Sequence, residues 1–403
     1  MSAFIHPSSS ISNFHRTTNG IGGAKETEII EVKPTAYNYD IVIIGAGMIG
    51  LSIAFRLKRT DPNLKVAVVG DSRDPLMASR AAAGMLSPFC ECEQDDRFFF
   101  FCRESLHKYP KFIKEVESVS GLDIHFSMAG AIMPHCSVGD QWEDRLRFFK
   151  EAEVTHEVWS ANQIHKKLPH ISSDCGDVVW VKEGVVNNRQ LHDALISAAS
   201  LLGVDIIDHE VTGFLRTNGS LNDALTDIGL IRGRKFVLAG GGWCKHLGLD
   251  MGVSIPVKPI KGQMCRLQVE ENRLGYTVHG FLTYIVPWGN GYGFVVGSTM
   301  EDCGFDSEVY DSTIQKLIDN ASAILPCLHD APLVEKWTGF RPTTDDEMPI
   351  MGASVRYENL YYSTGHHRNG ILQTPNQADY MTEIIRGSLK NEIPEFSPTR
   401  YAL

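Results

Sequence analysis

Asp40-Ile-Val-Ile-Ile44-Gly45-Ala-Gly-Met-Ile-Gly50 is the stretch on which the fold turns. Its short apolar run, closed by glycine, has the length of a buried strand. Leu51, Ile53, Ala54, Phe55 and Leu57 then lead into Lys58 and Arg59 as an amphipathic helix does, and a second apolar run, Val66-Ala-Val-Val69, follows at the distance of a parallel βαβ crossover. Between strand and helix, Gly45-x-Gly47-x-x-Gly50 lets the chain turn tightly. It also lets a dinucleotide pyrophosphate approach the free N–H groups of the helix N-terminus. Its place after a strand and before a helix makes it a dinucleotide fingerprint. Met48 and Ile49 join the three glycines as expected contacts. The fingerprint calls for an acidic residue at the end of the second strand to bind a ribose hydroxyl. Gly70 stands there and Asp71 one residue later, so Asp71 serves the ribose or turns the chain.

Working outward, Leu106, Tyr109, Phe112, Ile113 and Val116 carry helical spacing through residues 98–118, where Phe98 to Phe101 reads as a buried face. Asn188 to Leu202 reads as a second helix closed by Gly203. Val204 to Ile207, and Lys235 to Leu238 running into Gly240-Gly-Gly242, resume the α/β alternation. Residues 255–300, punctuated by Gly and Pro, read as an antiparallel meander. A helix over 312–325, a strand over 359–363, a turn over 365–370 and a last helix to about Arg386 complete the chain.

A fingerprint in the first βαβ, an α/β domain completed near the C-terminus and an intervening meander favour a flavin architecture over an ordinary dehydrogenase. The expected class is α/β: a Rossmann-like, glutathione-reductase-type FAD-binding domain (38–91, 181–254 and 326–403). It is interleaved with an α+β substrate domain built on an antiparallel sheet (92–180 and 255–325). Residues 1–37 read as a disordered extension, organellar targeting being the alternative: the stretch to Ala24 has no acidic residue but only one Arg.

The whole chain has 403 residues, 43% hydrophobic and 22% charged, which excludes global disorder and a disulfide-dependent miniprotein. A net charge of -11 argues against nucleic acid as a partner. No apolar run approaches the roughly 20 residues of a transmembrane helix. Nine cysteines without a paired C-x-x-C spacing support neither a metal site nor a disulfide framework, and fit a reducing, cytoplasmic compartment.

Six ordered segments carry a more specific resemblance. Ala78-Ser-Arg-Ala-Ala-Ala-Gly-Met-Leu-Ser-Pro88, Pro256-Val-Lys-Pro-Ile-Lys-Gly-Gln263, Tyr284-Ile-Val-Pro287, Gly297-Ser-Thr-Met-Glu-Asp302, Gly339-Phe-Arg-Pro342 and Gly365-His-His-Arg-Asn-Gly-Ile-Leu372 resemble the glycine oxidases of thiamin-synthesis type in the D-amino acid oxidase superfamily. The resemblance runs from about Tyr39 to Tyr401. It implies noncovalent FAD, a small amino-acid or amine substrate, and oxygen as acceptor, giving the imino and then oxo acid, ammonia and hydrogen peroxide. A homo-oligomer stays open.

The resemblance implies that Arg341 anchors the substrate carboxylate, a task suited to the guanidinium fork. It also implies that Tyr284 offers a pocket hydroxyl and that Arg368 stands near the entrance. Cofactor contacts are implied at Ser79, Ala81, Ala82, Ala83, Gly84 and Met85, at Val211, Gly240, Gly241 and Trp243, and at His366, Arg368, Asn369, Gly370, Ile371 and Leu372. For His366 a solvated turn is the alternative, and for Trp243 simple packing. Arg80 and His367 depart from the pattern, standing where aromatic residues are common. The alternatives are a cyanide-forming glycine dehydrogenase-like subunit using another acceptor, a sarcosine or secondary-amine oxidase, and a flavin-binding subunit without turnover.

Overall fold

The computed structural model describes residues 38–403 apart from 93, 95, 270–273, 281, 282, 290, 292, 390 and 391. Within the stretch 1–37, expected to be disordered, it also describes an antiparallel ladder of Phe14–Thr17 with Thr27–Ile30; the rest of that expectation lies outside the described residues.

The apolar run at 40 is the centre of a strand, Asn38–Ile44, flanked in parallel by Val66–Val69 and Gly229–Leu238, with Val204–Ile207 outside Val66–Val69. Strands buried on both faces read as continuous apolar runs, as Ile41 to Ile44 and Val66–Val69 do. Gly229–Leu238 forks. Its first half pairs with the antiparallel strand Ser220–Thr226, which in turn pairs with Val211–Thr217, and its second half pairs with the parallel strand Leu360–Thr364. This fork brings the segment after Leu360 beside the glycine turn.

One face of the sheet is covered by the helices Met48–Thr60, Arg97–Ser120, Asn188–Leu201 and Gly370–Arg386, which share one core cluster. The helix Arg97–Ser120 was expected in the substrate domain. Its apolar stripe, from Phe99 and Cys102 to Phe112 and Val116, packs instead on the cofactor-side core. Ser105 Oγ donates to Leu372 O (2.6 Å), Tyr109 OH donates to Ile371 O, and Glu115 pairs with Arg56 at 3.0 Å. Phe99 and Phe101 are buried while Phe100 is exposed, so the Phe run is half a buried face.

The second sheet runs Leu333–Thr343, Lys258–Leu267, Phe294–Gly297, Tyr284–Pro287, Thr277–His279, Ala131–Pro134, Val178–Val181, His156–Trp159. Every pair is antiparallel except Thr277–His279 with Ala131–Pro134. Leu333–Thr343, expected with the cofactor domain, therefore belongs to the substrate-side sheet. A strand's alternation marks it as a strand without saying which sheet it joins.

All nine cysteines are free. Among the described residues no helix is long and apolar enough to cross a membrane.

Candidate active site

A cavity of about 1360 Å³ runs between the two sheets, larger than the roughly 300–1,000 Å³ typical of small-ligand pockets. At one end lies the glycine turn. Gly45 has φ +118°, and a Cβ there would sit 2.4 Å from Ala239 O. The turn therefore fits against the end of the neighbouring strand only as glycine. Gly47 faces the cavity, where a Cβ would meet Ser79 Oγ at 3.1 Å, and Met48 N donates to that same hydroxyl at 2.8 Å. Gly50 does not line the cavity; a Cβ there would sit 2.0 Å from Gly45 O, so its task is to seat the helix on the strand. The helix carries no side-chain N-cap and no acidic residue in its first turn, which leaves its positive end turned to the cavity.

Asp71 lines the cavity as an exposed residue, and its Oδ1 accepts from Arg73 N at 2.8 Å. It turns the chain while remaining at the cavity wall, so the two readings coexist. Val211, Gly240, Gly241 and Trp243 line the same end. Trp243 also packs against Phe305, with ring centroids 5.1 Å apart.

Ser79 and Ala81 to Met85 form the middle wall. Long-range bonds hold this segment: Trp337 Nε1 donates to Ala81 O (2.9 Å) and Trp288 Nε1 to Ala83 O (2.8 Å). The two indoles stack 6.1 Å apart, and the Arg189 guanidinium lies over both, 5.1 and 4.8 Å from their centroids. Arg80 does not line the cavity. It turns outward onto Asp193 at 2.7 Å, so a cation in place of an aromatic residue leaves the wall unchanged.

Opposite lies the turn before the last helix. His366, His367, Arg368, Asn369, Gly370 and Ile371 line the cavity; Leu372 faces the core at 1% exposure and does not. His366 is buried rather than solvated, with its Nδ1 2.7 Å from Gln373 Oε1. His367 Nδ1 lies 2.7 Å from Thr343 Oγ1. Arg368 is half exposed and 3.0 Å from Glu91 Oε2, too poorly aligned for a hydrogen bond but close enough to pair the charges.

At the far end stands Arg341, on the strand Leu333–Thr343. Its Nη1 donates to Thr299 O (3.0 Å) and Nη2 to Ser298 Oγ. Tyr284 lines the same end, and the Ser298 hydroxyl lies between it and the guanidinium. Burial lowers the pKa of Arg341 and raises that of Tyr284, so the phenol holds its proton as a donor. Among the described residues no carboxylate lies within salt-bridge distance of Arg341, whereas Arg80, Arg189 and Arg368 are all paired. A cation enclosed without a counter-ion calls for an anionic ligand. Gly262 makes room for the fork: a Cβ there would sit 2.4 Å from Nη1.

Burial pushes four imidazoles down, His192, His279 and His366 to about 4 and His367 to about 3. Unfolded, each titrates near 6.5, so the unfolded chain binds more protons than the native one as pH falls below that value. Their contribution is complete above about pH 6.5 and is lost progressively toward pH 4, at up to ~1.4 kcal/mol per pH unit for each histidine. Unfolding between pH 6.5 and 4.5 is expected to take up two to three protons net, about one per buried histidine less the one released by Glu183, whose carboxyl burial raises to about 7. Calorimetry in buffers of different ionisation heat measures this; zero uptake would mean the imidazoles are charged when folded.

Sequence reasoning missed Gly262, Ser298, Thr299 and the Trp288–Trp337–Arg189 stack as parts of the site. The first three lie inside quoted motifs, and only their register across strands assigns their task. No local pattern announces the indoles.

A bare helix N-terminus at a strand–glycine–helix turn is suited to a dinucleotide phosphate, and the same cavity ends on a guanidinium awaiting an anion. The class is thus a dinucleotide-dependent oxidoreductase. Within it, the chain belongs to the DAO family, FAD dependent oxidoreductase, which it matches over residues 40–384.

The bifunctional protein ThiO/ThiG of Trichormus variabilis is 36% identical over 353 residues, covering 86% of this chain and 52% of that protein. This chain spans about half the length of such relatives. Glycine oxidase of Bacillus licheniformis is 27% identical, with 87% of this chain and 94% of that one covered. The crystal structure of glycine oxidase from Geobacillus kaustophilus superposes with a TM-score of 0.85 at 26% identity, over 91% of this chain and 99% of that one. The cofactor of the family is FAD. The cradle fits it: Gly47 is open to the cavity, and the uncapped helix end offers N–H groups to a pyrophosphate.

Proposed function

We propose that this chain oxidises the Cα–N bond of glycine or another small amino acid, with FAD held noncovalently. The observation that carries the reading is Arg341, a half-buried guanidinium with no carboxylate in salt-bridge distance among the described residues, at the end of the cavity that begins at the glycine turn. An α-amino acid brings the carboxylate that Arg341 lacks. FAD, when bound, supplies the acceptor for two electrons and the hydrogen on Cα.

The chain's own residues supply orientation. Arg341 fixes the carboxylate, Ser298 and Thr299 fix Arg341, and the protonated Tyr284 hydroxyl stands beside them to donate to the substrate. His366 and His367, neutral at physiological pH, put no further cation against the substrate amine, which must bind unprotonated. The clamped wall from Ala81 to Met85 would hold the cofactor's flat ring. Gly47, Met48 and Ile49 would take the pyrophosphate, and Asp71 the ribose. The imine hydrolyses to an oxo acid and ammonia, and oxygen accepts the two electrons with two protons to leave as hydrogen peroxide.

Anaerobic mixing with glycine, N-methylglycine and small D- and L-amino acids tests the reading. Flavin bleaching is expected with glycine, and peroxide once air is admitted. A flavin that stays oxidised with every amino acid would overturn the substrate class, and bleaching without peroxide would overturn oxygen as acceptor.

Gly262→Ala tests the guanidinium's seat. The added methyl overlaps Nη1, and overpacking of this kind costs about 1–3 kcal/mol. The kcat/KM for glycine is expected to fall about 5- to 100-fold, with FAD content unchanged. Steady-state kinetics beside the flavin-to-protein absorbance ratio measures both.

A further inference from the structure

Behind the wall that carries Ser87 and Glu91, three residues far apart in the chain converge. Cys90 lies on the short helix Pro88–Glu91, Glu183 follows the strand Val178–Val181, and His279 ends the strand Thr277–His279. The Cys90 sulfur, a Glu183 oxygen and a His279 ring nitrogen all lie within 4.8 Å of one another. Cys90 and His279 are each 8% exposed and Glu183 is wholly buried. Nothing in the amino-acid oxidation proposed above uses them.

The carboxylate is held in an unusual way. Its Oε1 accepts from Phe89 N (2.6 Å) and Cys90 N (2.8 Å), which fixes the group, while Oε2 has no hydrogen-bond partner at all. That oxygen, with the Ser87 hydroxyl and the Cys90 thiol beside the carboxylate, lies 3.8 Å from His279 Nε2. A fully buried polar atom without a partner is costly, by about 1–3 kcal/mol, and calls for an explanation. On the other side of the ring, His279 Nδ1 faces Glu91 Oε1 at 4.0 Å. Carboxylates therefore face both ring nitrogens, and with an ion on Nε2 the Glu91 side would hold the ring's proton on Nδ1. Nε2 also lies 3.0 Å from Ser87 Oγ.

We propose that Cys90, Glu183 and His279 form a binding site for a divalent cation of the zinc class. One sulfur, one imidazole nitrogen and one carboxylate oxygen are donors that zinc accepts in tetrahedral sites. A thiolate and a carboxylate together neutralise the ion's two charges, which makes its burial affordable where a lone ion's would not be. Zinc bonds of about 2.0–2.3 Å put tetrahedral donors within about 4 Å of each other, so the cluster needs only side-chain contraction. Ser87, Glu91 and His279 all line the large cavity, which provides the entry path and a fourth, open position. Because Glu91 also faces Arg368, a bound ion is linked to the entrance by one carboxylate.

The test uses the full chain loaded with FAD, freed of metal with a chelator, then dialysed against micromolar zinc chloride. One zinc per chain is expected, with X-ray absorption at the zinc edge giving one sulfur at about 2.3 Å among lighter donors. Cys90→Ser should lose the sulfur shell, and both it and Glu183→Gln should weaken binding at least about 10-fold, with unchanged flavin content reporting a native fold. Two results overturn the proposal: no zinc retained, or a zinc without sulfur. A sulfur shell surviving in Cys90→Ser overturns it as well, by pointing to another cysteine. The absorption result on the unsubstituted protein decides even if a variant fails to fold.

Discussion

Arg341→Ala is expected to lower kcat/KM for glycine by about 30-fold to several thousand-fold, the equivalent of roughly 2–5 kcal/mol for breaking an enclosed charge pair. The substrate carboxylate would enter a cavity end where the other nearby guanidinium, Arg368, is already engaged with Glu91. Arg341→Lys keeps the charge but loses the two-pronged geometry that Ser298 and Thr299 aim, so it should recover only part of the loss. Stability supplies the discriminating readout. Burial already disfavours the charged guanidinium, so removing it should leave the melting temperature unchanged or raised. A structural arginine would behave in the opposite way, losing fold and activity together. Near-normal turnover in Arg341→Ala would dispose of the carboxylate clamp.

What could be read in the chain and what could not divide along a physical line. The turn from Ile44 to Gly50 was legible because strand, glycine spacing and helix are all local, within one βαβ unit. The helices Asn188–Leu201 and Asp311–Ile324 were legible for the same reason, each carrying its own apolar period. The partner of a face is not local. Arg97–Ser120 has an unmistakable stripe, yet whether it covers the cofactor sheet or the other depends on the last helix, more than 200 residues away in sequence. The strand Leu333–Thr343 was placed by its neighbours in sequence, while its register with Lys258–Leu267 decides its sheet.

The site follows the same rule. Arg341 could be singled out from its motif, but Gly262 acquires a task only because Ile260 pairs with Arg341, which sets Gly262 diagonally across from it, under the guanidinium. Glu183, His279 and Cys90 have no common motif, so their convergence exists only in three dimensions.

Gly45→Ala should cost about 4 kcal/mol or more and abolish FAD retention, because two independent penalties coincide at one atom. The backbone at φ +118° is a conformation that residues with a Cβ rarely adopt, worth about 1–3 kcal/mol by itself. The methyl would also lie 2.4 Å from Ala239 O, inside any tolerable contact. Neither wall can yield: Ala239 N donates to Ile44 O at 2.8 Å, and Gly45 N donates to Val69 O at 2.8 Å, so the turn is tied to strands on both sides. Relaxing the clash means opening the parallel ladder at the point where the dinucleotide must dock. Gly47→Ala separates the two roles, since Gly47 has no such backbone constraint and its Cβ would meet only the Ser79 hydroxyl, at 3.1 Å. That variant should fold with a nearly unchanged melting temperature and yet hold FAD more weakly, because the methyl projects where a pyrophosphate must come close. Thermal melts of the apoprotein and flavin titration of both variants give the comparison. Equal FAD affinity in Gly47→Ala and the unsubstituted protein would remove the pyrophosphate from this turn, whatever Gly45→Ala does to the fold.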